Sequence, residues 1–461
     1  MFKYLFILFL PFMLLMADDM QIEDDFLESL NEVSEIATKT KLNIDDTPSF
    51  VTVLLSEELQ EIGVNNIFEA LVLVPGVQLK REASGVPVVI FRGVSQKGEV
   101  KLMIDGVTIN NAYRGSIYHY LDFPIDLVKR IEVIRGAGSV LYGSNAISGV
   151  INIITKASQQ YSKNNAFVLA STDKTYKGGA LVSQNFNDIK FSLDTYYEKS
   201  NKTVSVGRNS SIYTGESDRH IKDFSVGMNI NSEHFNFIAR VKKIDSGNAY
   251  GILGILDTDK NDYNNINTSY ITEFSYKNKL NLENKLNISV GYSRYEQDAE
   301  ASHLFAPVLD AIYKEDSYNI QADIISSSIT NNELLFGVKF ETFRTLKSDW
   351  SALLPYISNP DFSRDITSVY LNDTYSVNEN LDISAGLRYD YYNDIGNACS
   401  PTLGFVYRFN ERVRIKGLYS HSFRAPSWIE LTSNFDLNPE TSDSFEMGII
   451  FKQNQYICNT I

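Results

Sequence analysis

Apolar and polar residues alternate without a break along the stretch Leu381-Asp382-Ile383-Ser384-Ala385-Gly386-Leu387-Arg388-Tyr389-Asp390-Tyr391. A period of two is that of a β-strand, because successive side chains of a strand point to opposite faces. Phe224, Val226, Met228 and Ile230 repeat the pattern. Similar segments of ~10 to 13 residues recur from about residue 165 onward, and this is the length of a tilted strand that crosses a bilayer.

Strands with one apolar and one polar face are typical of outer-membrane barrels, in which lipid covers one face and a polar lumen the other. A soluble β-sandwich with one wet face is the alternative that alternation leaves open. Two features favour the barrel: long hydrophilic loops, such as 201–220 and 245–268, and aromatic residues near segment ends. These aromatic residues are Tyr196, Tyr197, Tyr375, Tyr391, Tyr392 and Tyr407. We count about fourteen strands between residues 165 and 452, and predict a mainly β chain with an antiparallel transmembrane β-barrel.

Composition excludes several other classes of protein. The 461 residues carry a formal net charge of −15, which argues against nucleic-acid binding, since that depends on clustered Lys and Arg. Cys399 and Cys458 are the two cysteines, too few for a disulfide scaffold or a zinc site of the CxxC type. Ser, His and Asp do not combine into a triad, and we therefore predict neither an enzyme nor a metal site.

The N-terminus has the features of a secretory signal peptide. Lys3 precedes the apolar run Tyr4–Met16, and the small residue Ala17 follows. This run is shorter than the ~20 residues of a membrane-spanning helix, although a membrane anchor stays the alternative. We predict a signal peptide over 1–17 and a periplasmic tail over 18–37.

The region 38–157 differs from the rest of the chain. We predict a helix that Ser56 caps, a second short helix at Ile67–Leu73 that ends before Pro75-Gly76, and several strand-like runs. These runs lie at 86–92, 100–104, 128–134 and 150–155. Together they indicate a small α/β domain ahead of the barrel.

Four fragments of this region carry a family resemblance. In chain order they are Phe91-Arg92-Gly93-Val94, Leu102-Met103-Ile104-Asp105-Gly106-Val107, Val128-Lys129-Arg130-Ile131-Glu132-Val133-Ile134-Arg135-Gly136 and Leu141-Tyr142-Gly143-Ser144-Asn145-Ala146-Ile147-Ser148-Gly149-Val150-Ile151-Asn152-Ile153-Ile154-Thr155. Over residues 32–157 the chain closely resembles the plug domain of TonB-dependent outer-membrane receptors. Within the barrel, Ser422-Phe423-Arg424-Ala425-Pro426 followed by Leu437-Asn438-Pro439-Glu440-Thr441-Ser442-Asp443 is similar to a signature of the same family.

The resemblance implies a plug domain over 38–157 enclosed by a barrel over 158–461, exported to the outer membrane of a Gram-negative bacterium. It also implies energy-coupled uptake of a scarce small molecule, with a TonB-type energy-transducing protein and outer-membrane lipid as partners. We expect a ferric siderophore as ligand and no resident cofactor. A haem or cobalamin receptor is the first alternative, and a passive porin the second.

The resemblance places the TonB box at Glu32-Val33-Ser34-Glu35-Ile36-Ala37. A β-prone hexamer on a tail can add as a strand to a partner's sheet edge, which requires little of its sequence. An ordinary linker is the alternative for this segment.

The loop 110–120 is the expected apical, ligand-facing segment of the plug. Its candidate ligand residues are Tyr113, Arg114, Tyr118, His119 and Tyr120, since aromatic and cationic side chains suit an anionic chelate. His119 could instead bind haem iron through its imidazole. However, haem receptors of this family carry a barrel histidine between the two barrel signatures, and residues 427–437 contain none.

Four charged residues are expected to connect the plug to the barrel: Arg92, Arg130, Glu132 and Arg135. Arg130 and Glu132 share one face of a strand, opposite Ile131 and Val133. Such a polar face suits contacts that are hydrogen-bonded and still separable.

One departure from the family concerns the number of strands. Barrels of this family close with about 22 strands, whereas we count about fourteen. The alternation stops soon after Phe451, and the chain ends Gln455-Tyr456-Ile457-Cys458-Asn459-Thr460-Ile461. We therefore expect an incomplete barrel, of about 14 of 22 strands, and a non-functional fragment of a receptor is a further alternative.

Overall fold

A computed structural model of the chain describes residues 33, 34, 36, 39, 42–81, 87–93, 98–115, 118–158, 163–172, 174–206, 215–247, 263–303, 306–349, 361–454 and 457–460. The predicted signal peptide lies outside these residues, as do Glu32, Glu35 and Ala37 of the predicted TonB box. Among the residues described, no helix has both the length and the apolar composition that crossing a bilayer requires.

The N-terminal part of the chain, here called the plug (residues 42–158), is built around a five-stranded sheet. Its order is β3-β8-β9-β6-β7, in which β6 and β9 run parallel and the other neighbours antiparallel. One strand, β1 Val33–Ser34, belongs to the tail before the plug. The strands of the plug are β2 Leu42–Asn43, β3 Val51–Leu55, β4 Val77–Arg81, β5 Pro87–Phe91, β6 Val100–Ile104, β7 Val107–Thr108, β8 Val128–Arg135 and β9 Gly149–Thr155. The helices are α1 Ser56–Glu61, α2 Ile67–Ala70 and α3 Ser139–Tyr142, with 3-10 turns at Ile44–Asp46, Leu71–Leu73, Tyr118–Tyr120, Ile125–Leu127 and Lys156–Ser158.

Sequence predicted the helices α1 and α2 and the strands β5, β6, β8 and β9 of the plug, but it missed β3, β4, β7 and α3 and misplaced one helix cap. Asn66 caps α2, because its side chain accepts a hydrogen bond of 2.9 Å from the Glu69 N–H. The prediction that Ser56 caps α1 was wrong. Ser56 is the first helical residue, and Leu55 occupies the cap position without a side-chain hydrogen bond.

The remainder of the chain forms one antiparallel sheet of fifteen strands, here called the wall, in which each strand pairs with the next along the chain. The fold prediction is confirmed: the chain is mainly β, and fourteen strands lie between Asn165 and Asn454. A short fifteenth strand follows. The first seven strands are β10 Asn165–Ala170, β11 Thr175–Phe186, β12 Ile189–Val206, β13 Gly215–Asn231, β14 Phe235–Ser246, β15 Tyr263–Lys279 and β16 Asn284–His303. The others are β17 Ala306–Ser326, β18 Asn332–Asp349, β19 Ser363–Asn378, β20 Leu381–Tyr392, β21 Gly396–Arg408, β22 Val413–Arg424, β23 Glu440–Asn454 and β24 Ile457–Thr460, with helix α4 Trp428–Ser433 between β22 and β23.

Strand length exceeds the prediction. The longest strand, β17, has 21 residues, about twice what a tilted strand needs to cross the hydrocarbon core. β16 and β17 remain paired from Asn284 to His303, up to their connection at 304–305. These strands are therefore longer than the hydrocarbon core alone requires.

Exposure along the wall is inverted relative to a soluble protein. On β20, Leu387 is 51% exposed and Tyr389 is 46% exposed, whereas Arg388 is 2% exposed and Asp390 is 1% exposed. Apolar side chains thus face outward and charged ones face the plug, as in a barrel with a polar lumen. This inversion excludes the soluble sandwich.

Neighbouring tyrosines divide between the two faces because of the same alternation. Tyr197 and Tyr391 are exposed on the outer face, but Tyr196 and Tyr392 are buried on the inner one. The prediction that all of them belong to an interfacial girdle was therefore too broad.

The two ends of the wall differ. Short turns at 187–188, 232–234, 280–283, 327–331, 379–380 and 409–412 lie at one end, here called the turn end. The strand ends that the four longest connections join, at 206/215, 246/263, 349/363 and 424/440, lie at the other, here called the loop end. In outer-membrane barrels the short turns face the periplasm and the longer loops face the outside.

Candidate functional site: the interface between plug and wall

The plug packs against the inner face of the wall, and its contacts extend from β10, where the Asn165 side chain donates to the Asp126 carbonyl at 3.2 Å, to β23. On one side, Leu181 and Tyr196 of the wall join the same apolar cluster as Phe123 of the plug. Arg240 of β14 lies over the Phe123 ring at 5.1 Å, while both of its terminal nitrogens donate to Asp194 at 2.7 Å. The buried guanidinium is thereby paired, as its removal from water requires.

At the loop end, the plug segment 111–114 is hydrogen-bonded to the connection between β22 and β23. The Trp428 N–H donates to the Ala112 carbonyl at 3.1 Å, and the Ile429 N–H donates to the Tyr113 carbonyl at 3.0 Å. Both N–H groups belong to the first turn of α4, where helix geometry leaves them without intrahelical partners. The Ala112 N–H donates in turn to Glu315 of β17 at 3.0 Å.

Aromatic rings fill the space around this contact. Tyr113 of the plug stacks on Tyr313 of the wall, with 4.1 Å between ring centroids. Phe362 stacks on Trp428 at 5.4 Å, and Tyr295 and Leu431 complete the cluster. Plug and wall therefore share an aromatic surface at the loop end.

The candidate ligand residues lie near this surface at different depths. Tyr113 belongs to the cluster, and Arg114, half-buried, lies over its ring at 5.4 Å. His119 and Tyr120 are buried, since their 3-10 turn directs both rings inward. The Tyr118 side chain lies outside the described residues. Their roles in binding stay predictions.

Burial also sets the protonation of His119. Its ring lies 5.4 Å from that of Tyr295 and 5.1 Å from that of Tyr120. Loss of water around the imidazole, with a smaller contribution from Lys242, lowers the pKa of His119 to about 3. The imidazole is therefore neutral at physiological pH.

The family motifs of plug and barrel meet in space. The Ala425 N–H donates to the Ser144 hydroxyl at 2.9 Å, and the Phe423 N–H to the Ser139 hydroxyl at 3.4 Å. Arg424 donates to Glu430 at 2.8 and 3.0 Å and forms an ion pair with Glu440 at 2.9 Å. This arrangement joins the start of α4, the end of β22 and the plug.

Among the four predicted contact residues, Arg92 reaches the wall. Its guanidinium donates to Glu446 of β23 at 2.7 Å and to the Arg135 carbonyl at 3.4 Å. Burial and the neighbouring Arg92 lower the pKa of Arg135 from its ordinary value. Gly136 is required at this point, because its φ is +121° and an added Cβ would lie 1.9 Å from a Glu446 oxygen.

Arg130 and Glu132 bond within the plug and with the tail. Arg130 donates to Glu132 at 2.7 Å, and the second Glu132 oxygen accepts from the Ile36 N–H at 3.2 Å. The Tyr142 hydroxyl donates to the Ile36 carbonyl at 2.7 Å. The Ile36 side chain is 1% exposed and packs among Met103, Ile134, Ala146 and Val150. A residue of the predicted TonB box is thus anchored in the plug.

A second polar contact lies near the turn end, and sequence analysis missed it. Arg408 of β21 donates to Asp46 at 3.0 Å, and Lys416 of β22 donates to the Ser49 carbonyl at 2.8 Å. The motif Asp45-Asp46 was the available signal, since two adjacent acids next to a lumen require cationic partners.

A cavity of about 140 Å³ lies between plug and wall. Polar side chains line much of it, including Lys39, Tyr142, Glu273, Asn319, Lys339 and Arg388. The Lys39 ammonium donates to Asp323 at 3.2 Å and to the Tyr370 hydroxyl at 2.8 Å. Burial lowers the pKa of Lys39 to about 8, although Asp323 opposes this.

Comparison with known proteins identifies both parts of the chain. A family model described as "TonB-dependent Receptor Plug Domain" matches residues 43–150, and one described as "TonB dependent receptor-like, beta-barrel" matches residues 195–457. The transporter family that these models define is not one of enzymes, which confirms that prediction.

Curated relatives are similar at low identity. The "Vitamin B12 transporter BtuB" of Vibrio vulnificus (strain CMCP6) is 26% identical over 453 residues, which cover 95% of this chain and 69% of the relative. An "Iron-regulated outer membrane virulence protein" of Vibrio cholerae serotype O1 (strain ATCC 39315 / El Tor Inaba N16961) is 24% identical over 442 residues, 88% of this chain and 64% of that protein. The chain therefore spans about two thirds of the length of these relatives.

Solved structures share the fold. The siderophore receptor PirA from Acinetobacter baumannii superposes with a TM-score of 0.71 at 20% identity, over 88% of this chain and 69% of that one. A mutant of the ferric enterobactin receptor PfeA from Pseudomonas aeruginosa gives a TM-score of 0.72 at 16% identity, with the same coverage of 88% and 69%. Because the barrel model alone matches more than half of the residues, the chain belongs to the TonB-dependent receptor family of the Gram-negative outer membrane.

Proposed function

We propose that this chain takes up a scarce iron chelate, of the ferric siderophore class, in a process driven by a TonB-type protein. The observation that carries this proposal is the anchoring of Ile36 in the plug. The hydrogen bonds from Ile36 to Glu132 and from Tyr142 to Ile36 connect the tail to β8 and α3. A pull on the tail is therefore transmitted to the centre of the plug.

The tail also supports strand addition by a partner. Val33–Ser34 pairs as a two-residue antiparallel strand with Leu42–Asn43. A segment already in extended conformation can exchange this short pairing for the edge of a partner's sheet. The six predicted TonB-box residues, 32–37, include this strand and the Ile36 anchor.

The interface between plug and wall suits displacement. Many of its contacts are ion pairs and hydrogen bonds, such as Arg92–Glu446, Arg408–Asp46 and those of α4 with the plug segment 111–114. Water can replace such bonds at little net cost, whereas separating a continuous apolar interface exposes its whole area.

The aromatic surface at the loop end favours a siderophore as ligand. Tyr113 and Arg114 of the plug lie beside Tyr313 and Tyr295 of the wall. Aromatic faces and a guanidinium suit an anionic aromatic chelate. The similar solved structures are named as siderophore receptors, which is consistent with this class.

Cobalamin is the second candidate, because a curated relative at 26% identity is named a vitamin B12 transporter. Haem is disfavoured by the burial of His119, whose imidazole faces Tyr120 and Tyr295 and would need to turn outward to meet a haem iron.

Uptake of labelled ligands tests the proposal. The full chain is expressed in a Gram-negative host strain that lacks its own receptors for siderophores, haem and cobalamin. Uptake of iron-55 siderophores, iron-55 haemin and cobalt-57 cobalamin by this strain is then measured. We expect uptake of a siderophore, which is lost when residues 32–37 are deleted or the host lacks TonB. Deletion of residues 18–23 is the matched control, because it shortens the tail equally and spares the box.

Three other results of the uptake experiment would each contradict a different part of the proposal. Uptake that survives deletion of 32–37 indicates a passive pore. TonB-dependent uptake of cobalamin or haem alone contradicts the proposed ligand class. A folded chain in the outer membrane that neither binds nor imports any of these ligands contradicts the transport proposal itself.

A further inference from the structure

Three lysines lie together on the inner face of the wall near the turn end, here called the lumen lysines: Lys277 and Lys279 of β15 and Lys285 of β16. Lys279 lies directly opposite Lys285 in the register of the two strands. The lumen lysines share the face of Ile271, which packs in the apolar cluster of the plug, because residues an even number apart on a strand point the same way. All three are nevertheless exposed, so the plug leaves this part of the wall uncovered.

The charges of the lumen lysines have no close partner. Within the part of the chain that the structure describes, none of the three forms an ion pair or donates a side-chain hydrogen bond. Glu273 acts on Lys277 only at longer range, Glu283 lies in the turn between the two strands, and Glu333 lies on β18. Like charges directly opposite each other destabilise a pair of strands, and an anion at this place would relieve that cost.

Several other cations on the inner face of the wall have carboxylate partners. Lys339 of β18 pairs with Glu341 at 2.7 Å, and Arg388 of β20 pairs with Asp390 at 2.8 Å. A charge that faces the lumen is thus commonly neutralised by a neighbour on the same wall. The lumen lysines lack such a neighbour among the described residues, and this favours a partner from elsewhere.

The tail that precedes the plug carries the opposite charge. Residues 18–32, here called the acidic tail, contain seven carboxylates and no Lys, Arg or His. The seven are Asp18, Asp19, Glu23, Asp24, Asp25, Glu28 and Glu32. The acidic tail lies outside the described residues, and the structure shows where it is attached, at Val33.

The tail meets the wall beside the lumen lysines. The Lys39 ammonium donates to Asp323 of β17 at 3.2 Å. Asp323 lies directly opposite Asn287 of β16, and Asn287 lies directly opposite Lys277. Lys285 lies one step of about 7 Å from Asn287, toward the turn end. The contact of the tail and the lumen lysines are therefore on neighbouring strands.

The length of the tail is sufficient for it to reach the lumen lysines. Glu28 precedes Lys39 by eleven residues. An extended chain of this length spans up to about 36 Å, whereas two strand spacings amount to about 10 Å. The acidic tail can therefore lie against the lumen lysines while Lys39 remains paired with Asp323.

We propose that the acidic tail binds the lumen lysines through the carboxylates of Asp24, Asp25 and Glu28. A single exposed ion pair contributes little, but the attachment of the tail through residues 33–39 gives it a high effective concentration at the wall. A partner that pulls on the tail must break these ion pairs first. The binding does not depend on which ligand the receptor imports.

Cross-linking in the full chain tests the proposal. S29C is placed in the acidic tail and N287C beside the lumen lysines, in a background in which Cys399→Ser and Cys458→Ser remove the native thiols. A short bis-maleimide should link the two cysteines in isolated outer membranes. We expect D24N/D25N/E28Q to lower the initial rate about 10-fold, since three exposed ion pairs together contribute roughly one tenfold step. This variant changes the tail alone and leaves the plug and wall as they are.

Two matched controls accompany this measurement. In the first, I288C replaces N287C, because Ile288 is the next residue of β16 and points to the outer face, so no link to the tail should form. In the second, K199Q/K243Q/K347Q removes three exposed lysines from the outer face and should leave the rate unchanged. In contrast, K277Q/K279Q/K285Q should lower the rate about 10-fold, as the tail variant does.

An exchange of charges separates ion pairing from folding. The variant D24K/D25K/E28K should lose the cross-link, and adding K277E/K279E/K285E should restore it. Raising the salt concentration from about 0.05 M to about 0.5 M should slow the reaction of the unchanged chain, because exposed charges are screened. No link in the unchanged chain, equal rates with and without the tail carboxylates, or no recovery on charge exchange would each overturn the proposal. None of these measurements uses transport, so their outcome is independent of that of the uptake experiment.

Discussion

The Tyr142 hydroxyl donates a hydrogen bond of 2.7 Å to the carbonyl of Ile36, a residue 106 positions earlier in the chain. The bond joins the tail to α3, whose neighbours in space are β19 to β22 of the wall. Ile36 is thereby connected, through one side chain, to the part of the plug that meets the barrel signature motif. This bond and the one from the Ile36 N–H to Glu132 hold the tail in the resting receptor.

Removing the Tyr142 hydroxyl should release the tail. The change Tyr142→Phe keeps the ring and removes one hydrogen bond, which contributes about 1 kcal/mol. We expect a cysteine at position 34 to react with a maleimide about 5-fold faster in this variant. The measurement uses S34C in a background in which Cys399→Ser and Cys458→Ser remove the native thiols.

Tyr391→Phe is the control for this prediction, because Tyr391 is exposed on the outer face of β20. Its hydroxyl is remote from the tail, and the labelling rate should not change. Equal rates for Tyr142→Phe and the unchanged chain would mean that the bond to Ile36 does not restrain the tail.

Gly136 provides a test of the contact between the plug and β23. In Gly136→Ala the added Cβ would lie 1.9 Å from the Glu446 carboxylate that binds Arg92, and φ is +121°. Strain and displacement of Glu446 should together lower stability by about 2 to 4 kcal/mol, visible as a lower calorimetric melting temperature.

The variant Gly63→Ala separates the effect of backbone strain from that of displacing Glu446. Gly63 also has a positive φ, +81°, but no atom lies within 4 Å of an added Cβ. In Gly63→Ala the free energy of unfolding should fall only by the cost of backbone strain, about 1 kcal/mol. If both variants melt at the same temperature, the contact with Glu446 adds nothing to the stability of the plug.

The wall was predictable from sequence because lipid and lumen impose opposite demands on adjacent residues. Leu387 and Arg388 show this at one step of β20, the former exposed and the latter buried. Period two therefore identified the strands and their faces. Their number followed as well, because polar turns interrupt the alternation.

Contacts between plug and wall were much less predictable, since they join residues far apart in the chain. Arg408 and Asp46, separated by 362 positions, meet only after the wall has formed around the plug. The burial of individual side chains in the apical loop was equally unpredictable, because no local sequence pattern shows that the rings of His119 and Tyr120 point inward. The acidic pair Asp45-Asp46 indicated that partners were needed but not which ones.

Lys101 should make stability depend on pH. Burial, followed by repulsion from Lys339, lowers the pKa of this plug residue to about 7, and Glu341 opposes the shift. In the unfolded chain the lysine keeps its ordinary pKa of 10.5. Between these two values the unfolded state binds more protons, so the free energy of unfolding rises with pH across this window, by at most about 1.4 kcal/mol per pH unit. Below pH 7 the lysine is protonated in both states, and its cost to the fold is constant.

Lys101→Met removes this dependence. The variant should be more stable than the unchanged chain at pH 7, and its advantage should shrink as the pH rises toward 9.5, as measured by calorimetry. Lys80→Met is the control, because Lys80 is exposed on β4. A difference between Lys101→Met and the unchanged chain that is constant with pH would contradict the prediction.

The start of α4 supports the last prediction. Glu430 accepts hydrogen bonds of 2.7 Å from both the N–H and the hydroxyl of Ser427, and this fixes the first turn whose N–H groups bond to the plug. Ser427→Ala should cost about 1 kcal/mol and loosen that turn. In a background with Trp350→Phe, acrylamide should therefore quench the fluorescence of the buried Trp428 more strongly. Thr432→Ala removes a hydroxyl from the same helix, one that donates to the Ile429 carbonyl at 2.7 Å, away from the plug segment 111–114. Quenching that rises equally in both variants would show that the helix as a whole, and not its capped first turn, holds the loop against the plug.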